Sequence, residues 1–173
     1  MRPDLLVRDA RPDDQDAIRD VTLAAYHEYA ARMPAHWELY RQNILATLAD
    51  VKPAEQLVTE HDGALAGTVL LYPPRRIGRA QDETAIHMRW PEVRLLAVAP
   101  SARGCGIGAA LMQECMRRAR QSGAGALALH TTDMMQTALR MYERMGFVRA
   151  PELDFHPAPG FIVKGYRLDL LTA

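Results

Sequence analysis

The sequence is poor in features that mark several protein classes. It holds two cysteines, Cys105 and Cys115, among 173 residues. They form no paired motif, which argues against a disulfide framework or a cysteine zinc site and fits a reducing cytoplasm. It carries no excess of charge: Lys and Arg together number 21, and so do Asp and Glu. That balance gives no support to a general nucleic-acid or anionic-membrane role. No apolar run approaches the ~18 residues of a membrane span, and the charged N-terminus does not read as a signal peptide. The six histidines show no ligand spacing such as His-Glu-x-x-His, so no metal is expected. No repeat, low-complexity tract or convincing boundary divides the chain, and residues 1–173 read as a single domain.

What is present is an ordinary globular composition, 49% apolar, and one informative stretch from Pro91 to Ala110. Val93 to Val98 is a branched, apolar run suited to a buried strand. Pro100 stops it, because proline has no N–H to give a ladder. Gly104, Gly106 and Gly108 follow, and Ala109 to Ala119 has helical spacing. A strand, a glycine turn and a helix start make a backbone device for phosphate: amides point inward, missing Cβ atoms allow close approach, and the helix dipole favours negative charge.

The residues discriminate between phosphate ligands. A P-loop needs Lys and Ser/Thr after the last glycine, whereas Ala109 and Ala110 follow here. A dinucleotide fingerprint is formally present as Gly104-x-Gly106-x-x-Ala109. It would want an acidic residue about 20 positions on, and Gly123 to Thr132 offers none. An ordinary strand-to-helix turn would use the same glycines and stays open at this level.

The rest of the chain reads as alternating elements. Leu5 to Arg8 is a short strand, and Ala10 to Asp14 has turn and helix-start chemistry. A helix runs through about Ala31, is broken by Met33-Pro34-Ala35, and is followed by a second helix over Trp37 to Leu48. Gln56 to Glu60 and Ala64 to Tyr72 are strands joined by the hairpin turn His61-Asp62-Gly63. Pro73 to Met88 reads as a polar loop carrying Arg75, Arg76, Arg79, Asp82 and Glu83. After the glycine turn, Ile107, Leu111 and Cys115 share a helical face, with Met112 and Met116 as fillers beside them, and Gly123 stops the helix. Ala126 to Leu129 is a strand covered on both sides, and Thr132 or Asp133 is placed to cap the next helix. That helix carries Ala138, Met141, Tyr142 and Met145, ends at Gly146, and leads into extended Phe147-Val148. A Pro- and acid-rich segment from Ala150 to Gly160 precedes a last strand over Gly160 to Leu170.

Two blocks now carry a resemblance. Arg103-x-x-Gly106-x-Gly108 after a strand resembles the acyl-CoA pyrophosphate loop of the GNAT superfamily of N-acetyltransferases. Ala138-Leu139-Arg140-Met141-Tyr142-Glu143-Arg144-Met145-Gly146-Phe147 is similar to that family's Ala-x-x-(apolar)-Tyr-x-x-x-Gly-Phe block. Their order and separation match, and the resemblance extends over about Leu5 to Leu170. One position departs from the pattern: Met135 stands where the family often has Asn.

The resemblance implies a single mixed, mostly antiparallel sheet of six to seven strands flanked by about four helices, with a splayed central parallel pair. It implies acetyl-CoA as cosubstrate, a small amine or peptide acceptor, direct attack in a ternary complex, and often a homodimer through late strands. It assigns Leu96, Ala97 and Val98 to the pantetheine arm, with the Leu96 N–H at the thioester carbonyl as oxyanion donor. Arg103, Gly104, Cys105, Gly106, Ile107, Gly108 and Ala109 fall to the pyrophosphate, with Arg103 adding charge.

Acetyl transfer to an amine sets two proton problems. An alkylammonium has a pKa near 10 and must lose a proton before attack. Glu92 matches the position of a glutamate base in several family members, acting directly or through water, although a surface carboxylate would read the same. Tyr142 matches the general acid and would donate to, or hydrogen-bond, the departing CoA thiolate. Cys105 has no partner base, so a covalent acyl-cysteine route is not expected. His130 ends a strand near the acceptor side and reads equally as a structural histidine. Tyr26, Tyr29, Trp37 and Tyr40 fall in the segment that walls the acceptor site in this family, with core packing as their default role. A cofactor-binding relative without turnover, or more distantly a dinucleotide enzyme, is the alternative function.

Overall fold

The computed structural model describes residues 5–77 and 86–171. Its strands are β1 (Val7–Asp9), β2 (Glu55–His61), β3 (Ala64–Tyr72), β4 (Arg75–Ile77), β5 (Ile86–Met88), β6 (Glu92–Val98), β7 (Ala126–Thr131), β8 (Val148–Arg149), β9 (Phe155–Ala158) and β10 (Phe161–Asp169). The helices are α1 (Gln15–Tyr26), α2 (Trp37–Ala49), α3 (Ile107–Gln121) and α4 (Gln136–Arg144). The main sheet is mixed and mostly antiparallel, with hydrogen-bonded order β1-β2-β3-β6-β7-β10-β8 and β9 on β10. Among the described residues the sheet has eight strands, one more than the six to seven expected. The extra strand comes from the Pro-rich segment, whose residues 155–158 pair with β10.

The chain divides into two compact units, Met1–Leu71 with Leu95–Cys115, and Tyr72–Arg94 with Met116–Ala173. In the first, β1, β2 and β3 are antiparallel, with Val7 opposite Thr59 and Leu57 opposite Val69. The hairpin turn lies where the sequence places it. Asp62 at φ 52 and Gly63 at φ 78 give the two left-handed residues that match strand twist. Ile18, Ile44, Leu57, Val58, Val69, Leu70, Ile107, Leu111 and Met112 are all at most 2% exposed and form this unit's interior. Gly67 lets α3 lie close on β3: a Cβ there would collide with Ile107 Cγ2 and lie 3.0 Å from Leu111 Cδ1. The first helix is shorter than its apolar spacing suggests, because residues His27–Arg32 tighten into a 3-10 segment before the Met33 break.

In the second unit β7 pairs antiparallel with β10, Tyr166 facing Leu129, and parallel with β6. A strand–helix–strand crossover between β6 and β7 accounts for the parallel pair. Ala126 to Leu129 are at most 2% exposed, as a strand covered on both faces requires. Part of the expected polar loop is strand: β4 and β5 pair antiparallel, with Arg75 opposite Met88. Arg79, Asp82 and Glu83 lie outside the described residues. The expected cap of the fourth helix is also corrected. Met135 holds the cap position without a side-chain bond, because the chain from Thr132 first closes a turn through Met135 N–H to Thr132 O at 3.0 Å.

Candidate active site

The glycine turn is built from backbone. Gly104 sits at φ 79 and Gly106 at φ 86. A Cβ at Gly104 would meet nothing within 4 Å, and one at Gly106 only Leu5 Cδ1 at 3.9 Å. Glycine is therefore needed for the left-handed backbone rather than for space. The first helical bond near the start of α3 runs from Ala110 N–H to Gly106 O, 3.0 Å. The N–H groups of Ile107, Gly108 and Ala109 therefore precede the helix ladder and have no partner within the helix. Cys105 is exposed, with its thiol 3.8 Å from the Arg103 carbonyl.

Just upstream, β6 changes character. Among the described residues its parallel ladder joins Glu92 with Ala128 and Val93 with Leu129. Two residues later Leu95 adopts φ 49. A bulky side chain in the left-handed region costs about 1–2 kcal/mol. Beyond it, Ala99 N–H donates to Ala66 O on β3 at 2.8 Å. In an extended strand the N–H and C=O of one residue share an edge, and neighbouring residues use opposite edges. Leu96 and Val98 therefore direct their polar groups to the edge away from β3, and Ala97 toward it. The Leu96 carbonyl accepts the Tyr26 hydroxyl at 3.3 Å. A strand residue whose oxygen takes a side-chain donor presents its N–H on that same edge.

Arg103 is engaged within the protein. Nη1 bonds Glu28 Oε2 at 2.8 Å, and Nη2 bonds Glu28 Oε1 at 3.2 Å and the Ala25 carbonyl at 3.3 Å. A bidentate carboxylate and a carbonyl thus take three of the five N–H donors of Arg103. The Arg103 bond in turn holds the Glu28 carboxyl below its ordinary value. Tyr29, next along, is pushed up to about 12 by burial and by Glu28, so its phenol stays protonated. Tyr26 packs its ring 6.1 Å from those of Tyr29 and Tyr40, and Trp37 lies 6.2 Å from Tyr40. The four aromatics picked out in sequence are thus one cluster, linked to β6 through the Tyr26 hydroxyl.

In the second unit Glu92 is buried, its side chain 3% exposed. Oε2 accepts Arg75 Nη2 at 2.6 Å and Oε1 lies 2.8 Å from His130 Nδ1. His130 Nε2 is 2.8 Å from the Leu153 carbonyl, and its ring meets Phe155 edge-on at 5.2 Å. Arg75 also stacks over Tyr72, 3.8 Å from the ring centroid. Burial alone would raise the Glu92 carboxyl. The His130 bond and the charges of His130, Arg75 and Arg94 outweigh it and hold the group below its ordinary value. Glu92 is therefore neither a surface carboxylate nor an unencumbered base. Sequence reading missed Arg75, which it left in a loop, and the tie between Glu92 and His130. Strand parity carries that tie: Glu92 sits beside Ala128, and His130 is two residues further on the same face of β7.

Tyr142 is 6% exposed, its ring 5.9 Å from Phe147. The block that carries it has a local cause. Gly146 takes φ 94, which lets Phe147 N–H return to the Tyr142 carbonyl at 3.0 Å and close the helix. Among the described residues no group of three or more His, Cys, Asp or Glu is arranged to hold a metal ion.

These features match known proteins. A mycothiol acetyltransferase of Sanguibacter keddieii is 30% identical over 152 residues, which cover 87% of this chain and 45% of that protein. The chain thus spans about half the length of the curated relatives it matches. A GNAT-family acetyltransferase of Brucella melitensis, solved with acetyl-CoA, superposes with a TM-score of 0.59 at 26% identity, covering 83% of this chain and 82% of that one. An acetyltransferase from Corynebacterium glutamicum shares the fold at a TM-score of 0.66 and 22% identity, covering 94% of each chain. The sequence model of the acetyltransferase (GNAT) family matches residues 22–147, and the chain belongs to that family.

Proposed function

We propose that the protein transfers an acetyl group from acetyl-CoA to a primary amine, by direct attack within a ternary complex. The observation that carries this reading is the backbone of β6 and the turn after it. Past the strained Leu95, Leu96 and Val98 turn their polar groups away from β3, and the chain runs straight into a glycine turn of ladder-free amides. The pantetheine arm fits such an edge because it can act as a strand. On this reading Val98 pairs with the arm, Ala97 lies between the two paired positions, and the Leu96 N–H meets the thioester oxygen. The amides of Gly104 to Ala109, those of Cys105 and Ile107 among them, grip the pyrophosphate by the helix start. Arg103, engaged by Glu28, is left out of the phosphate contacts.

The amine nitrogen forms a bond to the carbonyl carbon, the Leu96 amide stabilises the oxyanion, and the C–S bond then breaks to leave a thiolate. An oxyanion donor of this kind is worth about 10²–10³ in rate. Tyr142 supplies a proton or hydrogen bond to the thiolate. The amine's own surplus proton leaves through water near Glu92. Resting that proton on a glutamate of ordinary pKa about 4.3, rather than on an amine near 10.4, would cost about 8 kcal/mol, so Glu92 passes the proton on and does not store it.

The aromatic cluster of buried Tyr26 and half-buried Tyr29, Trp37 and Tyr40 supports an acceptor wall in the same unit as the strand. Two cysteines outside any disulfide support a reducing, cytoplasmic setting. The acceptor class is a small amine or a peptide N-terminus, and a homodimer through the late strands belongs to the same reading. Isothermal titration with acetyl-CoA, followed by acceptor-dependent release of free thiol across an amine panel, tests it. Heat of binding and acceptor-dependent thiol are expected; no binding at millimolar acetyl-CoA contradicts the reading. A second reading, a cofactor-binding relative without turnover, is favoured by the capping of both Glu92 oxygens and by Met135. It predicts binding heat with no thiol release for any amine.

A further inference from the structure

Residues 25 to 28 are fastened at two points to the segment that carries the proposed acetyl-CoA site. The Tyr26 hydroxyl bonds the Leu96 carbonyl at 3.3 Å, and Arg103, at the mouth of the glycine turn, bonds Glu28 twice and Ala25 once. The two fastenings lie at opposite ends of that segment, Leu96 on the strand and Arg103 at the turn. Arg103 uses its planar fork, the geometry that gives a carboxylate pair direction as well as attraction. Tyr29, next to Glu28 in the chain, stacks edge-on with Tyr26 at 6.1 Å.

We propose that Glu28 is a positioning residue: by engaging Arg103 it sets the aromatic acceptor wall, Tyr26 first, against the strand and turn that hold the thioester. The inference rests on the acetyl-CoA reading of Leu96 to Ala109, and it gives Arg103 a role toward the acceptor instead of the pyrophosphate. Glu28 touches neither reactant. Its effect is on the register between wall and strand, where a small displacement of the amine lowers the rate of attack. The Glu28 and Arg103 side chains are 44% and 43% exposed. Pairs that open to water add little to stability, so loss of the bridge is read in kinetics with the fold intact.

The test is a double-mutant cycle of Glu28→Gln and Arg103→Gln, with acetyl-CoA affinity measured by titration and the acceptor KM and kcat by thiol release. Each single variant is expected to lower kcat about fivefold, with the acceptor KM and the acetyl-CoA Kd each changed by less than threefold. The double variant is expected to be no worse than either single one, and the swap Glu28→Arg with Arg103→Glu is expected to recover part of the loss. The proposal is overturned if Arg103→Gln weakens acetyl-CoA tenfold or more, if the two losses multiply, or if Glu28→Gln is kinetically silent. Should a glutamine variant fold poorly, Arg103→Lys and Glu28→Asp carry the same cycle. Acetyl-CoA binding to none of the proteins, wild type included, would instead remove the acetyltransferase reading itself.

Discussion

The Tyr26 hydroxyl donates to the carbonyl oxygen of Leu96 across 3.3 Å, joining the end of α1 to the middle of β6. It occupies the carbonyl at the edge where the Leu96 N–H is proposed to receive the thioester oxygen, and so fixes that peptide's orientation. Tyr26→Phe keeps the ring and removes the bond. A bond of this kind contributes about 1 kcal/mol, so kcat is expected to fall roughly fivefold with acetyl-CoA affinity nearly unchanged. Steady-state kinetics and titration check it; an unaltered kcat would mean that the peptide is held by other contacts.

Glu92 links acid stability to the second unit. Its folded carboxyl is held below the ordinary value, so the unfolded chain binds that proton more readily. The stabilisation is present above the ordinary glutamate pKa of about 4.3 and is lost as pH falls through the lower folded value. Glu92→Gln removes this share of the acid sensitivity. At neutral pH it is expected to cost about 3–5 kcal/mol, because the Arg75 guanidinium loses its buried carboxylate. Urea unfolding at pH 7 and at mildly acid pH measures both effects; an equal loss at all pH values would contradict them.

Leu95 reverses ordinary strand preferences. At φ 49, valine is disfavoured by its branched Cβ and glycine is relieved of strain. Leu95→Val is expected to destabilise by about 2 kcal/mol and Leu95→Gly by less than about 1 kcal/mol. Unfolding midpoints for the two variants decide the matter, and a better tolerated valine would show that this left-handed backbone is not held.

Two glycines are expected to fail in different assays. Gly67→Ala drives a Cβ into Ile107 and Leu111, and the overpacking should cost about 1–3 kcal/mol of stability. Gly106→Ala has space but must hold φ 86, a strain of about 1–2 kcal/mol that should appear chiefly as a roughly tenfold weaker acetyl-CoA Kd. Thermal melts and titrations on both variants separate packing from the turn.

Much of the architecture was legible in the chain because local chemistry and burial agree. The Asp62-Gly63 hairpin, the apolar run Ala126 to Leu129 and the glycine stop at Gly146 each have one physical solution. The β4–β5 hairpin was not legible: each strand has three residues, too few for an alternating pattern to emerge. β9 was hidden by a proline within it, which an edge strand tolerates.

At the candidate site, the glycine turn and Tyr142 could be read because their spacing constrains backbone geometry. The partners of Arg103 and Glu92 could not. Glu28 lies 75 residues from Arg103, and His130 lies 38 from Glu92, and no periodicity links side chains that distant. A charged residue's partner is set by tertiary register, which the sequence of one element does not carry.

The central claim concerns main-chain amides, and amide spectra of the labelled protein titrated with acetyl-CoA address it directly. The account predicts that Leu96, Val98 and the amides from Gly104 to Ala109 shift most and exchange more slowly with solvent in the bound form. Acetyl-CoA binding that leaves those amides unmoved would contradict it.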